Sequence, residues 1–299
     1  MKVLVTGSSG MLGKDICGTL DSDRHDVFGV SKEIGHSLRN DRQFQGDLTN
    51  QDFINDVLEK VEPDVIVHCA AIVNVDECEK NRELVHNVHV RSTEALASYR
   101  PGNVRFIYIS TDSVFDGKTG NYSEDDDTHP LNYYASSKLE GEKAALKNNP
   151  NSVILRTNIY GFHIPPGKSL TEWAIENFRL NKTINGFNDT IFNPLYTRQL
   201  ALTIRQCFMN DDVCGIWNVA SEGSLSKYEF LVKLARTFNY SESLVVQNSM
   251  ENVTFTAPRP KKTFLNTSKL KSTFNVVLDL QSGLENYKED YLQSIKTKK

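Results

Sequence analysis

Five cysteines in 299 residues (Cys17, Cys69, Cys78, Cys207, Cys214) form no CxxC pair and leave an odd count. That argues against a disulfide framework or a cysteine-based zinc site and suits reduced thiols. No apolar run approaches about 18 residues, so no membrane span is expected. The opening MKVLVTG shows no charged-then-apolar leader, which points to the cytoplasm. The formal charge is only −4, and the basic clusters Lys261-Lys262 and Lys296-Thr297-Lys298-Lys299 are short. Nucleic acid and anionic membranes are therefore not expected as main partners. Internal repeats and low-complexity linkers are lacking as well. Glu124-Asp125-Asp126-Asp127, in a loop before His129-Pro130, reads as a solvated face, so no metal is assigned.

What is present is an ordinary globular composition, 39% hydrophobic and 24% charged, long enough for one large domain with a smaller appendage. Short apolar runs alternate with amphipathic stretches: Lys2 to Thr6, Met11 to Leu20, Asp26 to Val30, Asn50 to Val61, Asp64 to Cys69, Glu83 to Tyr99, and Val104 to Ser110. A helix from about Tyr133 to Lys147 and a strand at Val153 to Arg156 complete the pattern. Strand–helix alternation implies an α/β, Rossmann-like doubly wound parallel sheet. Its ligand crevice lies beyond the carboxyl ends of the strands, where Gly7, Asp47, Ala70 and Thr111 fall. After residue 160 the repeats thin out and Pro165-Pro166-Gly167 marks a loop. Residues 1–160 are read as a dinucleotide-binding domain. Residues 161–299 are read as a smaller substrate lobe, with helices such as Ser226 to Phe238, interleaved with the first part and without a clean boundary.

The first turn, Thr6-Gly7-Ser8-Ser9-Gly10-Met11-Leu12-Gly13, directly follows the first strand. Glycines there let the backbone approach a pyrophosphate, whose charge is met by the next helix N-terminus. At the end of the second strand, where an acid usually selects NAD, stand Ser31 and Lys32, a hydroxyl and an ammonium suited to a 2′-phosphate. NADPH is therefore the expected cofactor, with NADH second; Glu33 would reverse the preference if the register shifted by one or two. Asp47-Leu48 either touches the adenine edge or, through Asp47, caps the helix from about Asn50. Tyr134 and Lys138 in Tyr-Ala-Ser-Ser-Lys share one helix face. Bringing a tyrosine from pKa ~10 to ~7 takes on the order of 4 kcal/mol, which a neighbouring ammonium and the nicotinamide ring can supply. Such a phenol can exchange a proton with a carbonyl or alcohol oxygen while hydride moves.

With these motifs the chain resembles the extended short-chain dehydrogenase/reductase superfamily and, within it, the dTDP-4-dehydrorhamnose reductase family. The likeness runs nearly end to end, through TGSSGMLG, PDVIVHCAAIVNVDECE, ISTDSVFDG, PLNYYASSKLEGEKAA, LRTNIYG, Asn193-Pro-Leu-Tyr-Thr-Arg-Gln-Leu-Ala, WNVASEGSLSKYEF and RPKKTFLNTSKL. It implies that Thr111 steadies the substrate oxygen, Tyr134 is the acid, and Lys138 holds the nicotinamide ribose. It further implies that Cys69, Ala70, Ala71 and Ile72 meet the ribose and nicotinamide, and that Asp112, Val114 and Ile159 border the sugar. His89 stands where this superfamily usually carries an Asn, and Asn87, two residues earlier, lies about 200° around a helix. His89 is either a support for a relay water or the Lys138 site, or a packed helix residue.

The implied reaction is reduction of a 4-keto-6-deoxy sugar on a nucleoside diphosphate, yielding a deoxysugar nucleotide for surface polysaccharide or glycan synthesis. Arg259, with Lys261 or Lys262, is either the cation for the diphosphate or a surface group. An epimerase or dehydratase is the alternative within enzymes, although Asp112-Ser113 offers only one carboxylate where dehydration calls for an acidic pair. A non-catalytic NADP-binding regulatory subunit is the alternative outside them. Neither the base nor the sugar can be named from Phe162-His163-Ile164-Pro165-Pro166 or from residues 187–192. The resemblance leaves a homodimer open, since many relatives are dimers.

Overall fold

The computed structural model describes residues 1–296; Thr297, Lys298 and Lys299, the end of the terminal basic run, lie outside the described residues. The first part of the chain forms β1 (Lys2–Thr6), α1 (Met11–Ser22), β2 (Asp26–Ser31), β3 (Gln43–Gln45), α2 (Gln51–Val61), β4 (Val65–His68) and α3 (Val75–Lys80). It continues with α4 (Arg82–His86), α5 (Ser92–Ala97), β5 (Arg105–Ile109), α6 (Tyr133–Asn148) and β6 (Val153–Arg156). The remainder forms β7 (Ile159–Tyr160), α7 (Leu170–Arg179), β8 (Ile184–Phe187), β9 (Ile191–Phe192), β10 (Leu195–Tyr196), α8 (Thr197–Phe208) and β11 (Gly215–Asn218). Then come β12 (Leu225–Ser226), α9 (Lys227–Thr237), β13 (Val245–Asn248), α10 (Ser268–Phe274) and α11 (Leu280–Lys296).

Val3, Leu4 and Val5 of β1 are apolar in succession and fully buried, as a parallel strand covered on both faces requires. Because successive side chains point to opposite faces, Val3 and Val5 join Ile16 and Leu20 of α1 and Leu200 and Ile204 of α8 in one core layer. Leu4 joins Ile54, Val57 and Leu58 of α2 and Leu96 of α5 in the other. Seven strands run in the order β11-β6-β5-β4-β1-β2-β3, every pair parallel. The order reverses between β1 and β4, so the loops that leave these strands diverge and open a crevice at their carboxyl ends.

The chain beyond residue 160 is divided between two tasks. Strand β11 extends the sheet beside β6, and α8 covers one of its faces. Most of the rest builds a separate aromatic core of Tyr160, Phe162, Phe178, Phe192, Tyr196, Phe230 and Tyr287, while Leu270 of α10 and Leu278 return to the sheet core. Around Tyr287 the rings of Tyr160, Tyr196 and Phe238 sit at centroid separations of 5.7, 5.6 and 5.7 Å. His163 and Lys168 to Leu170, at the entry to α7, border the crevice. Among the described residues no helix is long and apolar enough to cross a membrane.

One expected element is broken. The helix expected from Glu83 to Tyr99 begins at Arg82 and changes pitch at Asn87–Arg91, a π-helical turn between α4 and α5. A π turn inserts residues into the 3.6-residue repeat and resets which side chains face inward, and it turns Val88, His89 and Val90 all into the interior.

Candidate active site

The glycine turn is shaped by close approach. Gly7 has φ +67°, and a Cβ there would lie 2.9 Å from the Ala70 nitrogen; a Cβ at Gly13 would lie 2.1 Å from the Gly7 oxygen. Gly10 precedes α1 without a side-chain cap, and the first turn of α1 holds no acid. The helix N-terminus therefore keeps free N–H groups and its partial positive charge for an anion. This cradle fits the pyrophosphate of a dinucleotide.

At the far end, the Lys32 ammonium is 3.1 Å from Asp47, with both side chains well exposed. Asp47 accepts the Thr49 N–H at 2.9 Å, while Asn50 caps α2 through the Asp52 and Phe53 amides. Burial works against the Asp47 carboxylate, but the Thr49 amide and Lys32 outweigh it and hold the group below the usual carboxylate range. The Ser31 hydroxyl donates to the Glu33 carbonyl at 2.5 Å, whereas the Lys32 ammonium is held only by the exposed pair with Asp47.

Tyr134 and Lys138 lie one turn apart on α6, whose N-cap Asn132 accepts the Ala135 amide and donates to the Pro258 carbonyl. Farther along, Glu142 accepts the Ser110 hydroxyl at 2.5 Å and is gripped by Arg156 Nε and Nη2 at 3.0 and 2.8 Å, all deeply buried. Helix α6 is thereby fastened to β6 and to the residue that follows β5. Lys138 Nζ sits 4.0 Å above the Tyr108 ring, and burial pulls its pKa down to about 7 against the opposing charge of Glu142. Tyr134 departs from the expected lowering: burial pushes its phenol up to about 12, with only partial relief from the Thr111 hydroxyl. Lys138 does not lower it because the ammonium is directed to Tyr108 and Glu142.

Thr111 follows β5, accepts the Ser113 amide at 3.2 Å and donates to Asp112 at 3.2 Å, so it caps the short turn 112–114 while lining the cleft. Asp112 is almost fully buried and accepts Thr263 Oγ1 at 2.5 Å and Asn158 Nδ2 at 2.9 Å. Burial nevertheless leaves its pKa raised.

One cleft of about 810 Å³ gathers Gly7, Gly10, Met11, Leu12, Gly13, Ser31, Lys32, Asp47, Leu48, Cys69, Ala70, Ala71, Ile72, Thr111, Asp112, Tyr134, Lys138 and Ile159. Two expected residues are not on its wall. Val114 is fully buried in a satellite cluster with Phe115, Tyr122, Ala220 and Leu265, because the tight turn after Asp112 rotates it inward. Arg259 is drawn to Asp76 at 3.0 Å and lies outside the cleft lining, and Lys261 is held by Glu251 at 2.5 Å and Asp189 at 3.3 Å. Another cation near the cleft is Lys227, the first residue of α9. It lines a second cavity of about 430 Å³ with Trp173, Asn185 and Phe187, and Leu170 borders both spaces. Asn158, within LRTNIYG, also reaches the main cleft, as do His163 and Lys168, which no quoted motif flags. Among the described residues no group of three or more His, Cys, Asp or Glu side chains could hold a metal ion.

The chain is similar to several known proteins. A dTDP-4-dehydrorhamnose reductase from Aggregatibacter actinomycetemcomitans is 28% identical over 307 residues, covering 95% of this chain and 97% of that protein. Methionine adenosyltransferase 2 subunit beta of Danio rerio is 29% identical over 279 residues, covering 90% and 84%. The crystal structure of dTDP-4-dehydrorhamnose reductase from Bacillus anthracis in complex with NADP superposes with TM-score 0.85 at 27% identity, covering 97% of this chain and 99% of that one. The family model described as RmlD substrate binding domain matches residues 1–293, and the chain belongs to that family.

Proposed function

We propose that the protein is an NADPH-dependent reductase of a 4-keto-6-deoxy sugar carried on a nucleoside diphosphate. The observation that carries this reading is the convergence of Thr111, Tyr134 and Lys138 on the same cleft as the Gly7–Gly13 turn. Gly7, Gly10 and Gly13 would receive the pyrophosphate, Lys32 the 2′-phosphate, Lys138 the nicotinamide ribose, and Ala70 to Ile72 the nicotinamide side. Bound there, the cofactor supplies hydride to the carbonyl carbon.

The chain's own part is proton delivery and alignment. The Thr111 hydroxyl orients the carbonyl oxygen, and Tyr134 gives that oxygen its proton, so ketone, hydride and proton become a secondary alcohol. Asp112 and Ile159 border the sugar. The cavity beyond Leu170 extends the cleft toward Trp173, Phe187 and Lys227, an aromatic and cationic set suited to a base and a diphosphate.

The resemblance to a protein named as the beta subunit of another enzyme favours a second reading, a dinucleotide-binding subunit without turnover. One experiment separates the two. NADPH absorbance is followed with dTDP-4-keto-6-deoxy sugars generated in situ, for the protein and for Tyr134→Phe. Decay that falls by about 10²-fold or more in the variant while NADPH affinity holds supports the reductase. A flat trace with tight NADPH binding across nucleotide sugars supports the subunit.

A further inference from the structure

His89 is fully buried and makes two hydrogen bonds that leave no choice of tautomer. Its Nε2 accepts the Ile72 N–H at 2.9 Å, so the ring proton is on Nδ1, 2.8 Å from Ser137 Oγ. Ser137 spends its own proton on the Tyr134 carbonyl at 2.9 Å and therefore accepts from His89. The ring also meets Tyr134 edge-on at a centroid separation of 6.0 Å.

The other end of the same loop is held in a similar way. Ser92 donates to the Val88 carbonyl at 2.6 Å and so accepts the His68 Nε2 proton at 3.2 Å. His68 Nδ1 then accepts the Thr6 hydroxyl at 2.6 Å, and Thr6 Oγ1 takes the Ala70 N–H at 3.3 Å. Two imidazole-centred chains thus hold the Ala70 and Ile72 amides. Both start from the π turn 87–91, whose altered pitch brings the Val88 carbonyl and the His89 ring inward together. Burial and the charge of Lys138 hold both rings neutral, His68 down at about 3 and His89 at about 2. A protonated His89 would set an N–H against the Ile72 N–H.

We infer that His89 is a positioning residue: a neutral imidazole strut that fixes the cofactor-facing loop 69–72 at a set distance from Tyr134 and Lys138 on α6. The inference rests on the reductase reading for its catalytic consequence, but the strut itself can be observed without turnover. In ordinary packing any apolar residue of similar size would serve. As a strut, only a side chain that accepts at one end and donates at the other will do. His89→Gln keeps both functions, through its carbonyl and amide; His89→Leu keeps neither.

The test measures NADPH affinity, amide hydrogen exchange of the 69–72 segment, and kcat with its KM for the sugar nucleotide. For His89→Leu the expected result is NADPH binding weakened about tenfold and exchange in that segment faster by about tenfold or more, with strand β1 unchanged. His89→Gln is expected within about threefold of the parent in both. Where turnover is present, kcat falls with the leucine variant while KM for the sugar nucleotide holds. Equal behaviour of Gln and Leu, no change with Leu, or uniform acceleration of exchange across the sheet overturns the inference. Should the leucine variant fail to fold, Ser137→Ala removes the helix-side acceptor and must move affinity and exchange the same way; no movement is equally fatal. If the parent shows no turnover, the reductase reading fails, while exchange and affinity still decide the strut.

Discussion

The Lys32–Asp47 pair gives the most direct test of cofactor choice. An ion pair this exposed contributes about 0–1 kcal/mol, so Lys32 gives up little when it turns to another anion. A charge-assisted hydrogen bond is worth about 1.5–3 kcal/mol. Exposure of the ammonium and the partial loss of Asp47 bring the net gain on a 2′-phosphate to about 1–1.5 kcal/mol, close to tenfold in affinity. Lys32→Ala is therefore expected to raise the NADPH Kd about tenfold and that of NADH less than about twofold. Asp47→Asn frees Lys32 and removes a carboxylate beside the phosphate, so NADPH binding tightens about threefold to fivefold. Fluorescence titration at low and high salt is the assay, and the gap between the cofactors narrows at high salt because both groups are solvent-exposed. Equal losses for the two cofactors in Lys32→Ala, or weaker NADPH binding in Asp47→Asn, would refute the assignment.

Two further perturbations follow from the geometry. Gly13→Ala puts a methyl 2.1 Å from the Gly7 carbonyl oxygen and 2.7 Å from the Ser8 Cα, whereas Gly10→Ala meets only the Gly7 oxygen at 3.1 Å. Titration should show cofactor binding lost in the first and reduced by less than about tenfold in the second; the reverse order would discredit the described turn. Glu142→Gln leaves the Arg156 charge buried without its partner, at a cost of about 3–5 kcal/mol. Urea unfolding should report that loss and its substantial recovery in Glu142→Leu with Arg156→Met; a single-variant loss below about 1 kcal/mol would mean the pair is solvated.

The sheet, the glycine turn, and the Tyr134–Lys138 spacing could be read from the sequence because each is a local pattern with one physical solution. An unbroken apolar strand needs cover on two faces, a positive-φ residue against a neighbouring loop must be glycine, and a four-residue spacing shares a helix face. Val114 could not be placed in this way, since the rotation of a three-residue turn depends on the Phe115 and Tyr122 cluster that receives it. Arg259 resembled a free cation until folding brought up Asp76, 183 residues away. Lys227 falls within the stretch WNVASEGSLSKYEF, but nothing local singles it out, because its cavity is assembled from α7, β8, α9 and Val253.

The layered α/β architecture, the glycine turn and the shared helix face of Tyr134 and Lys138 are legible in the sequence, because they depend on neighbours within a turn, a strand or a helix. Only the folded arrangement sets which charges are spent on partners and which line the cleft, the upward push on the Tyr134 phenol, and the hydrogen-bond partners of His89. Those are set by burial and by hydrogen-bond partners from distant segments: Ile72 and Ser137 for the histidine, Tyr108 and Glu142 for Lys138. A one-dimensional pattern does not contain the dielectric surroundings or the partner geometry that fix a proton's place.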